Sequence, residues 1–489
     1  MIDFSALSKD KTDSYPPRAK IGEYLSQRFQ SLVTPLMQAK IVSLHKDQVK
    51  EVNWLENNKL QISTSNNTLS EFDEVLLTIG HQPTELSQQI LEWDKFTANE
   101  ESLNLFKTPY PVADYLHHKN LTYKSTIAIR GFGLAMIDSV RAIAEKFGKF
   151  EIKNEETRLC TYTSESEIQD MFIPFSLDGL PPVPKPLNAR IDEWFKPSDA
   201  SILKFEKHIG NKSIQKEADS PLFIIAEFAP IAANIYSKIS HGNDKLDVSE
   251  KDIENLITRW LEDQSTNHSL FIPAKQAAAK SIKSFLEMAT GKSSISLDYC
   301  IGQVWRHCQP SIYKALSFNE CSDKVISEII ALDESTKRYS FGPPVESIQQ
   351  LLALANAGVL NLDMLTDPNI ELTKKGWQLV LSGKSATATI MIDSVLDSPK
   401  IKSVNSLLVK NMLDDGLLEV VHDDLGAMTN EYGYLISKNG NAKIPIALLG
   451  RLAKGTIVGV DAILECFGTR PEQWAKQAAK NHINWLNSN

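Results

Sequence analysis

The amino-acid sequence predicts an α/β protein in which a strand, a glycine turn and a helix form one unit, preceded by a β-meander and followed by a large, mainly helical extension. Three observations carry this reading. The apolar run Thr126-Ile127-Ala128-Ile129 stops at Gly131-Phe132-Gly133 and gives way to the amphipathic stretch Leu134–Phe147, the order in which a parallel βα unit is built. Upstream, short β-rich runs alternate with polar turns. Downstream, from about Asn188 to Tyr313, apolar residues recur mainly at helical spacing.

Each element follows from a local pattern. After Pro16-Pro17, the residues Ile21, Tyr24, Leu25, Phe29, Leu32, Val33 and Leu36 recur at helical spacing and predict a first helix with one apolar face. The runs Lys40–Leu44, Val49–Trp54 and Leu60–Thr64, separated by polar turns, predict an antiparallel meander. A fourth run, Phe72–Ile79, ends at Gly80-His81-Gln82-Pro83, where strand gives way to loop. Beyond the βα unit, Lys153–Gln169 reads as a polar excursion, and Met171–Phe175 predicts a second strand of the same unit. Pro181, Pro182, Pro184 and Pro186 predict a stiff, extended linker. Helices are predicted at Ile224–Ile239, Asp252–Leu261, Ala274–Met288 and Ile301–Leu316. The last third mixes the helices Ser347–Ala357 and Ser403–Asp414 with the strand-like pieces Ile390–Ile392 and Leu417–Val421.

Composition narrows the function classes. With 489 residues, the chain can bury large cores and divide into two to four domains. Its 52 Lys+Arg against 61 Asp+Glu give a net charge of −9, which argues against a generally nucleic-acid-binding surface and against an anionic-membrane binder. Apolar runs such as Pro230–Tyr236 and Ile444–Leu449 fall short of the roughly 20 residues needed to span a bilayer, and Met1-Ile2-Asp3-Phe4 opens no signal peptide, so a cytoplasmic location is expected. The five cysteines, without CxxC spacing, predict buried free thiols rather than disulfides or a metal site.

The sharpest local feature is Gly131-Phe132-Gly133-Leu134-Ala135-Met136, between a strand and a helix. Backbone N–H groups at such a turn face outward at a positive helix end and suit a pyrophosphate. Two glycines stand where tight turning and close phosphate approach need them, but Met136 holds the position of the third, which normally brings helix and strand together. The turn reads equally as a nucleotide cradle or as a plain βα connection that uses glycine for geometry. In Tyr15-Pro16-Pro17-Arg18, Arg18 at a helix start can pair with a phosphate or remain a solvated arginine. His307-Cys308 invites a nucleophile-and-base reading, yet neighbours on a helix point about 100° apart, so a helix packing Trp305 and Cys308 into a core is expected. His81 and the pair His117-His118 lack further ligands at metal spacing and read as structural.

Taken together, these stretches resemble the FAD/NAD(P)-binding proteins related to flavin-dependent N-monooxygenases and to FAD-dependent urate hydroxylases. Tyr15–Leu25 is similar to the family's Pro-Arg-x-x-x-Gly-x-Tyr-Leu stretch, Asp73–Pro83 to its strand ending in a Gly-His turn, and Thr126–Asp138 to its internal dinucleotide turn. Further along, Phe175–Pro182, Tyr339–Pro344 and Ile446–Gly468 resemble family segments in the same order. The resemblance implies a Rossmann-like dinucleotide-binding core in four regions: 1–124 the remainder of an FAD-binding domain with its meander, 125–187 an NAD(P)-binding unit, 188–340 the helical region, and 341–489 a mixed region returning to the flavin domain.

Two departures stand out. The family's opening strand and GxGxxG turn for the FAD pyrophosphate have no counterpart in Met1–Asp13, so the chain is expected to be incomplete, to receive that half from another chain, or to have lost the usual FAD site. The position of the family's arginine for a 2′-phosphate holds Leu177, with Asp178 beside it. An aspartate there favours a free 2′-OH, so NAD(H) is expected over NADP(H); alternatively Asp178 is a turn residue before Gly179.

By resemblance the cofactors are FAD and NAD(P), with hydride passing from nicotinamide to flavin. By this resemblance Gly131 and Gly133 take the dinucleotide pyrophosphate, Asp138 sits on the first helix turns, Asp178 faces the ribose, and Gly450 to Asp461 returns to the flavin end, with Arg18 and Gly80 as further cofactor-binding candidates. No catalytic residue is assigned. Three classes are carried: an oxidoreductase of flavin monooxygenase type, a non-catalytic or partner-dependent remnant that retains the fold, and an NAD-binding protein using the Gly131 turn alone. Without a first βαβ unit, the apolar run Phe72–Ile79 would lie at a sheet edge, which predicts a partner chain completing the sheet, self-association or poor solubility.

Overall fold

The structure, a computed structural model, describes residues 18–240, 248–437, 443–460 and 468–488. It divides into a larger unit, Leu86–Asp397, and a smaller one formed by Asp13–Glu85 and Ser398–Asn489.

The smaller unit begins with α1 (Arg18–Gln38), whose apolar residues Tyr24, Leu25, Phe29, Leu32 and Leu36 all lie at the surface. The predicted strand Lys40–Leu44 does not form. Ile41 N and Val42 N instead donate to Leu36 O (2.9 and 3.3 Å), closing the helix end and consuming the amides a ladder would need. The meander is therefore β1 (Val49–Trp54), β2 (Leu60–Thr64) and β3 (Thr68–Phe72), in that order and antiparallel. The run predicted at Phe72–Ile79 contracts to β4 (Val75–Leu77).

The larger unit is built on a parallel sheet. After α2 (Gln88–Thr97), β5 (Asn104–Phe106) and the short α3 (Ala113–Leu116), β6 (Ile127–Arg130) runs into the Gly131 turn and α4 (Leu134–Phe147). The stretch expected as a polar excursion is a hairpin, β7 (Gly148–Asn154) with β8 (Leu159–Ser164). Its alternating burial and the Phe150–Tyr162 ring contact at 5.1 Å mark a half-covered ribbon, which total polarity conceals. Then comes β9 (Phe172–Phe175), beside β6 as expected.

The helical region comprises α5 (Ala189–Asp192), α6 (Asp199–Ile209), α7 (Lys212–Glu217), α8 (Leu222–Ser240), α9 (Glu250–Glu262), α10 (Ala278–Ala289), α11 (Leu297–Leu316), α12 (Asp323–Ser340) and α13 (Val345–Asn356). The proline stretch before it is no free linker. Its remaining amides are paired, Val183 N to Arg338 O (3.1 Å), Lys185 N to Pro343 O (3.0 Å) and Leu187 N to Ala289 O (2.9 Å), and Val183 is fully buried. Helix α8 exceeds the apolar run Pro230–Tyr236. Its window Leu222–Ile239 is long and apolar enough to cross a membrane by composition, while Ile224, Phe228, Ala232 and Tyr236 are buried where it packs on α6, α9 and α11.

A second meander, β10 (Asn369–Thr373), β11 (Gly376–Leu381) and β12 (Lys384–Ala388), leads into β13 (Ile390–Asp393). This strand inserts between β5 and β6, giving the four-stranded order β5-β13-β6-β9 with all pairs parallel. Ile127, Ala128, Ile129, Phe172, Ile173, Met391 and Ile392 are all essentially inaccessible, as strands covered on both faces require.

The chain then returns to the smaller unit. Helix α14 (Leu407–Asp414) packs on β1, and Leu417–Val421 forms no strand, contributing only the isolated bridge of Val420 with Ala427. There β14 (Tyr434–Ile436) lies antiparallel to β15 (Lys443–Leu448), and β15 lies parallel to β4. Among the described residues β4 is the edge of this sheet. The last helix is α15 (Thr469–Ser488).

Candidate functional site

In open parallel sheets, ligands bind beyond the carboxyl ends of the strands, where loops and helix N-termini converge. In the larger unit the Gly131 turn occupies this edge. Gly131 N donates to Phe175 O (2.7 Å), continuing the β6–β9 pairing past the last residue of β6. Gly131 then turns with φ +103°, in the region that favours glycine, and a Cβ there would stand 2.7 Å from Ser394 Oγ. Ser394, just past β13, donates through Oγ to Arg130 O (2.7 Å) and so seals the turn against the neighbouring strand end.

Gly133 serves the opposite purpose. It is the exposed N-cap of α4, in extended backbone, with no atom within 4 Å of a Cβ built on it and no side chain capping the helix. The first amides of a 14-residue helix thus have no side-chain cap, at the positive end of the helix dipole. Met136, in place of a third glycine, is fully buried and becomes part of the core rather than an obstruction in the turn. Across the same edge, Arg130 donates to both carboxylate oxygens of Asp393 (3.1 and 3.0 Å). Burial pushes the Asp393 carboxyl up, and Arg130 only partly offsets this.

Asp178 lies in the loop directly after β9, hence at the same edge as Gly131 and Gly133. It is exposed, and its Oδ1 accepts from Ser176 Oγ (3.1 Å) and Leu180 N (3.0 Å), while Gly179 N donates to Ser176 Oγ (3.0 Å). Asp138 is placed otherwise. Half-buried on α4, it accepts from Tyr110 Oη (2.6 Å), which ties the helix to the loop before α3.

The smaller unit shows a second edge of the same kind. Gly80 follows β4 and Gly450 follows β15, parallel neighbours, and Leu449 N donates to Leu77 O (3.0 Å) at their carboxyl ends. Both glycines have positive φ, +61° and +99°, and nothing lies within 4 Å of a Cβ on either. Two residues some 370 positions apart are thereby brought to one sheet edge with open space beside their backbone. Arg18 is the first residue of α1, and Asp461 lies outside the described residues.

His307 Nε2 lies 3.2 Å from Asp192 Oδ1, which Arg306 also engages. Burial pulls the Asp192 pKa up, but His307 and Arg306 outweigh it and hold the carboxylate below its ordinary range. Cys308 is fully buried, its thiol pushed up to about 12 by burial, and it makes no dyad with His307. Sequence reasoning missed the Arg130–Asp393 pair and the Ser394 seal. The only local signal was an arginine at the end of an otherwise apolar strand.

Comparison with known proteins bears on the smaller unit first. Residues 4–82 match a family model described as FAD-NAD(P)-binding. The matched stretch takes in Tyr15–Leu25, the meander, β4 and Gly80. Among solved structures, a polycyclic ketone monooxygenase from the thermophilic fungus Thermothelomyces thermophila aligns at 11% identity and a TM-score of 0.29, over 86% of this chain and 59% of that one. No curated protein matches the chain.

Proposed function

We propose that the protein is an FAD/NAD(P)-dependent oxidoreductase of flavin monooxygenase type. Nicotinamide dinucleotide is held at the Gly131–Gly133 edge, and the flavin end is held at the Gly80–Gly450 edge. The bound cofactors supply the redox chemistry, hydride transfer from nicotinamide to flavin. The observation that carries this reading is the convergence of a sealed positive-φ glycine, an open glycine N-cap and an exposed aspartate on one carboxyl edge of a parallel sheet. The family match of residues 4–82 supports it.

Each residue has a physical task. Gly131 makes the turn that aims the first amides of α4 outward, and Gly133 leaves room for a diphosphate to reach them. Asp178 supplies an acceptor for a ribose hydroxyl and repels a 2′-phosphate, which sets NAD(H) above NADP(H). The exposed apolar row of α1, and β4 as the edge of its sheet among the described residues, are covered by self-association or a partner chain.

The test is calorimetric titration with NADH and NADPH, on the wild type and on Asp178→Asn. Asparagine keeps the acceptor oxygen that Ser176 and Leu180 use but removes the charge. We expect NADH to bind at least tenfold more tightly than NADPH, and the gap to narrow in the variant. Equal affinities in the wild type would overturn the cofactor assignment. A second reading, a retained fold that binds at most NAD(H), draws on one observation: Asp138 is engaged by Tyr110 and Asp178 by its own turn, as architecture alone would require. An absorption spectrum separates the two, since a protein that retains added FAD fits the first reading and a colourless one that retains NADH fits the second.

A further inference from the structure

The smaller unit holds an open pocket of about 1210 Å³. Its lining includes Glu71 to Glu74 just before β4 and Ile444 and Pro445 at the start of β15, the amino ends of these strands, together with residues of α15. The volume exceeds the roughly 300–1,000 Å³ of pockets that take drug-sized molecules. Its walls are unusually aromatic: Trp474, His482 and Trp485 from α15, Tyr432 and Tyr434 from the β14 segment, and Phe72 from the end of β3.

Among the described residues that line it, three are carboxylates and none is a lysine or arginine. Glu74 Oε1 accepts from Trp474 Nε1 (3.0 Å) and Tyr434 Oη (2.8 Å), and Asn481 Nδ2 donates to Tyr434 Oη (3.1 Å), so this carboxylate is fixed at the wall by neutral donors. Burial and the adjacent Glu74 push the Tyr434 phenol up, keeping it a neutral donor. Glu71 Oε2 accepts from Asn57 Nδ2 (3.0 Å), another neutral group. Asp73 is matched by a cation, Lys59. The Lys59 Nζ lies 6.0 Å from the Trp485 ring centroid, so one ring of the lining already receives a positive charge at cation–π range.

We propose that this cavity binds an organic cation with a flat, apolar body. Its charge is met by Glu71 and Glu74, and its body lies against Trp474 and Trp485. Aromatic faces and carboxylates attract the same sign of charge. The lining disfavours phosphate, so this is not the dinucleotide edge of the smaller unit, and the inference stands apart from the proposed redox role.

The experiment is calorimetric titration of the full chain with three probes of similar body: benzyltrimethylammonium, neutral benzyl alcohol and anionic benzenesulfonate. The cation is expected to bind saturably, at least tenfold more tightly than the alcohol, with no binding of the sulfonate. Trp485 is half exposed and Glu71 lies at the surface, so both can be replaced with the fold intact, as an unchanged melting curve would confirm. Trp485→Ala should weaken the cation about two- to fivefold, the value of a partly exposed cation–π contact. Glu71→Gln should weaken the cation but leave the alcohol unchanged. Equal binding of cation and alcohol, preference for the sulfonate, no saturable binding, or two variants that bind the cation as the wild type does would each overturn the proposal.

Discussion

Gly131 and Gly133 look alike in the sequence, yet the structure separates what substitution does at each. An alanine at Gly131 would hold φ near +103°, a region that costs an L-residue about 1–3 kcal/mol. Its Cβ would also stand 2.7 Å from Ser394 Oγ, forcing that hydroxyl from its bond to Arg130 O, worth about 0.5–1.5 kcal/mol more. Gly131→Ala should therefore destabilise the larger unit by about 2–4 kcal/mol. Gly133 has ordinary φ, an open Cβ position and an N-cap role that aspartate fills better than glycine by a few tenths of a kcal/mol. Gly133→Asp should leave stability unchanged or slightly raised, yet place a negative charge where a diphosphate would sit and abolish NADH binding. Urea unfolding followed by circular dichroism measures the first effect, and calorimetric titration with NADH the second. A Gly131→Ala midpoint matching that of the wild type would refute the account of the turn. A Gly133→Asp protein that binds NADH normally would refute the account of the cradle.

Other outcomes follow from the same contacts. Burial pushes the fully buried Asp298 carboxyl up, although Ile272 N and Tyr339 Oη donate to it. The protonated form is thus favoured by folding, and its contribution is lost as pH rises through the raised value. The melting temperature of the wild type relative to Asp298→Asn should fall as pH rises from about 4, the ordinary carboxylate value, toward neutrality; a gap independent of pH would contradict this. Native alkylation at neutral pH should spare Cys300 and Cys308, both fully buried with thiols pushed up, and peptide mass mapping should find them modified only after unfolding. Phe29→Glu combined with Leu32→Glu, on the exposed row of α1, should remove concentration-dependent association in sedimentation velocity.

What the sequence revealed was what short-range patterns encode. The strand Ile127–Arg130, its glycine turn and the helix Leu134–Phe147 were legible because strand run, breaker and helical period follow one another without a gap. The hairpin Gly148–Ser164 and the meander Asn369–Ala388 were not, because one face of each is wet and their composition reads as polar. The position of β13 was beyond reach for another reason. It pairs with β5 and β6, about 290 and 260 residues earlier, and nothing in Ile390–Asp393 names those partners. Gly80 and Gly450 were each singled out by resemblance, but their meeting at one edge depends on a parallel pairing across the chain. The cavity left a fainter trace: Trp474, His482 and Trp485 recur on α15 at spacings that share a face, a pattern equally suited to a core helix.

The two units bring opposite electrostatics to their candidate sites. At the Gly131 edge the first turn of α4, without a side-chain cap, presents partial positive charge, and the buried Asp393 is held by Arg130. In the smaller unit's cavity, the donors that Glu71 and Glu74 meet among the described residues are neutral, and the surrounding rings offer their negative faces. A dinucleotide and an organic cation should therefore not compete. Saturating the chain with NADH should leave the affinity for benzyltrimethylammonium unchanged when the sites are independent. A shift in either affinity must appear equally in the other, because coupling between two binding equilibria is reciprocal. Such a shift would show that the two units communicate, whereas mutual exclusion would place both ligands in one site and contradict the charge distribution from which the two sites are inferred.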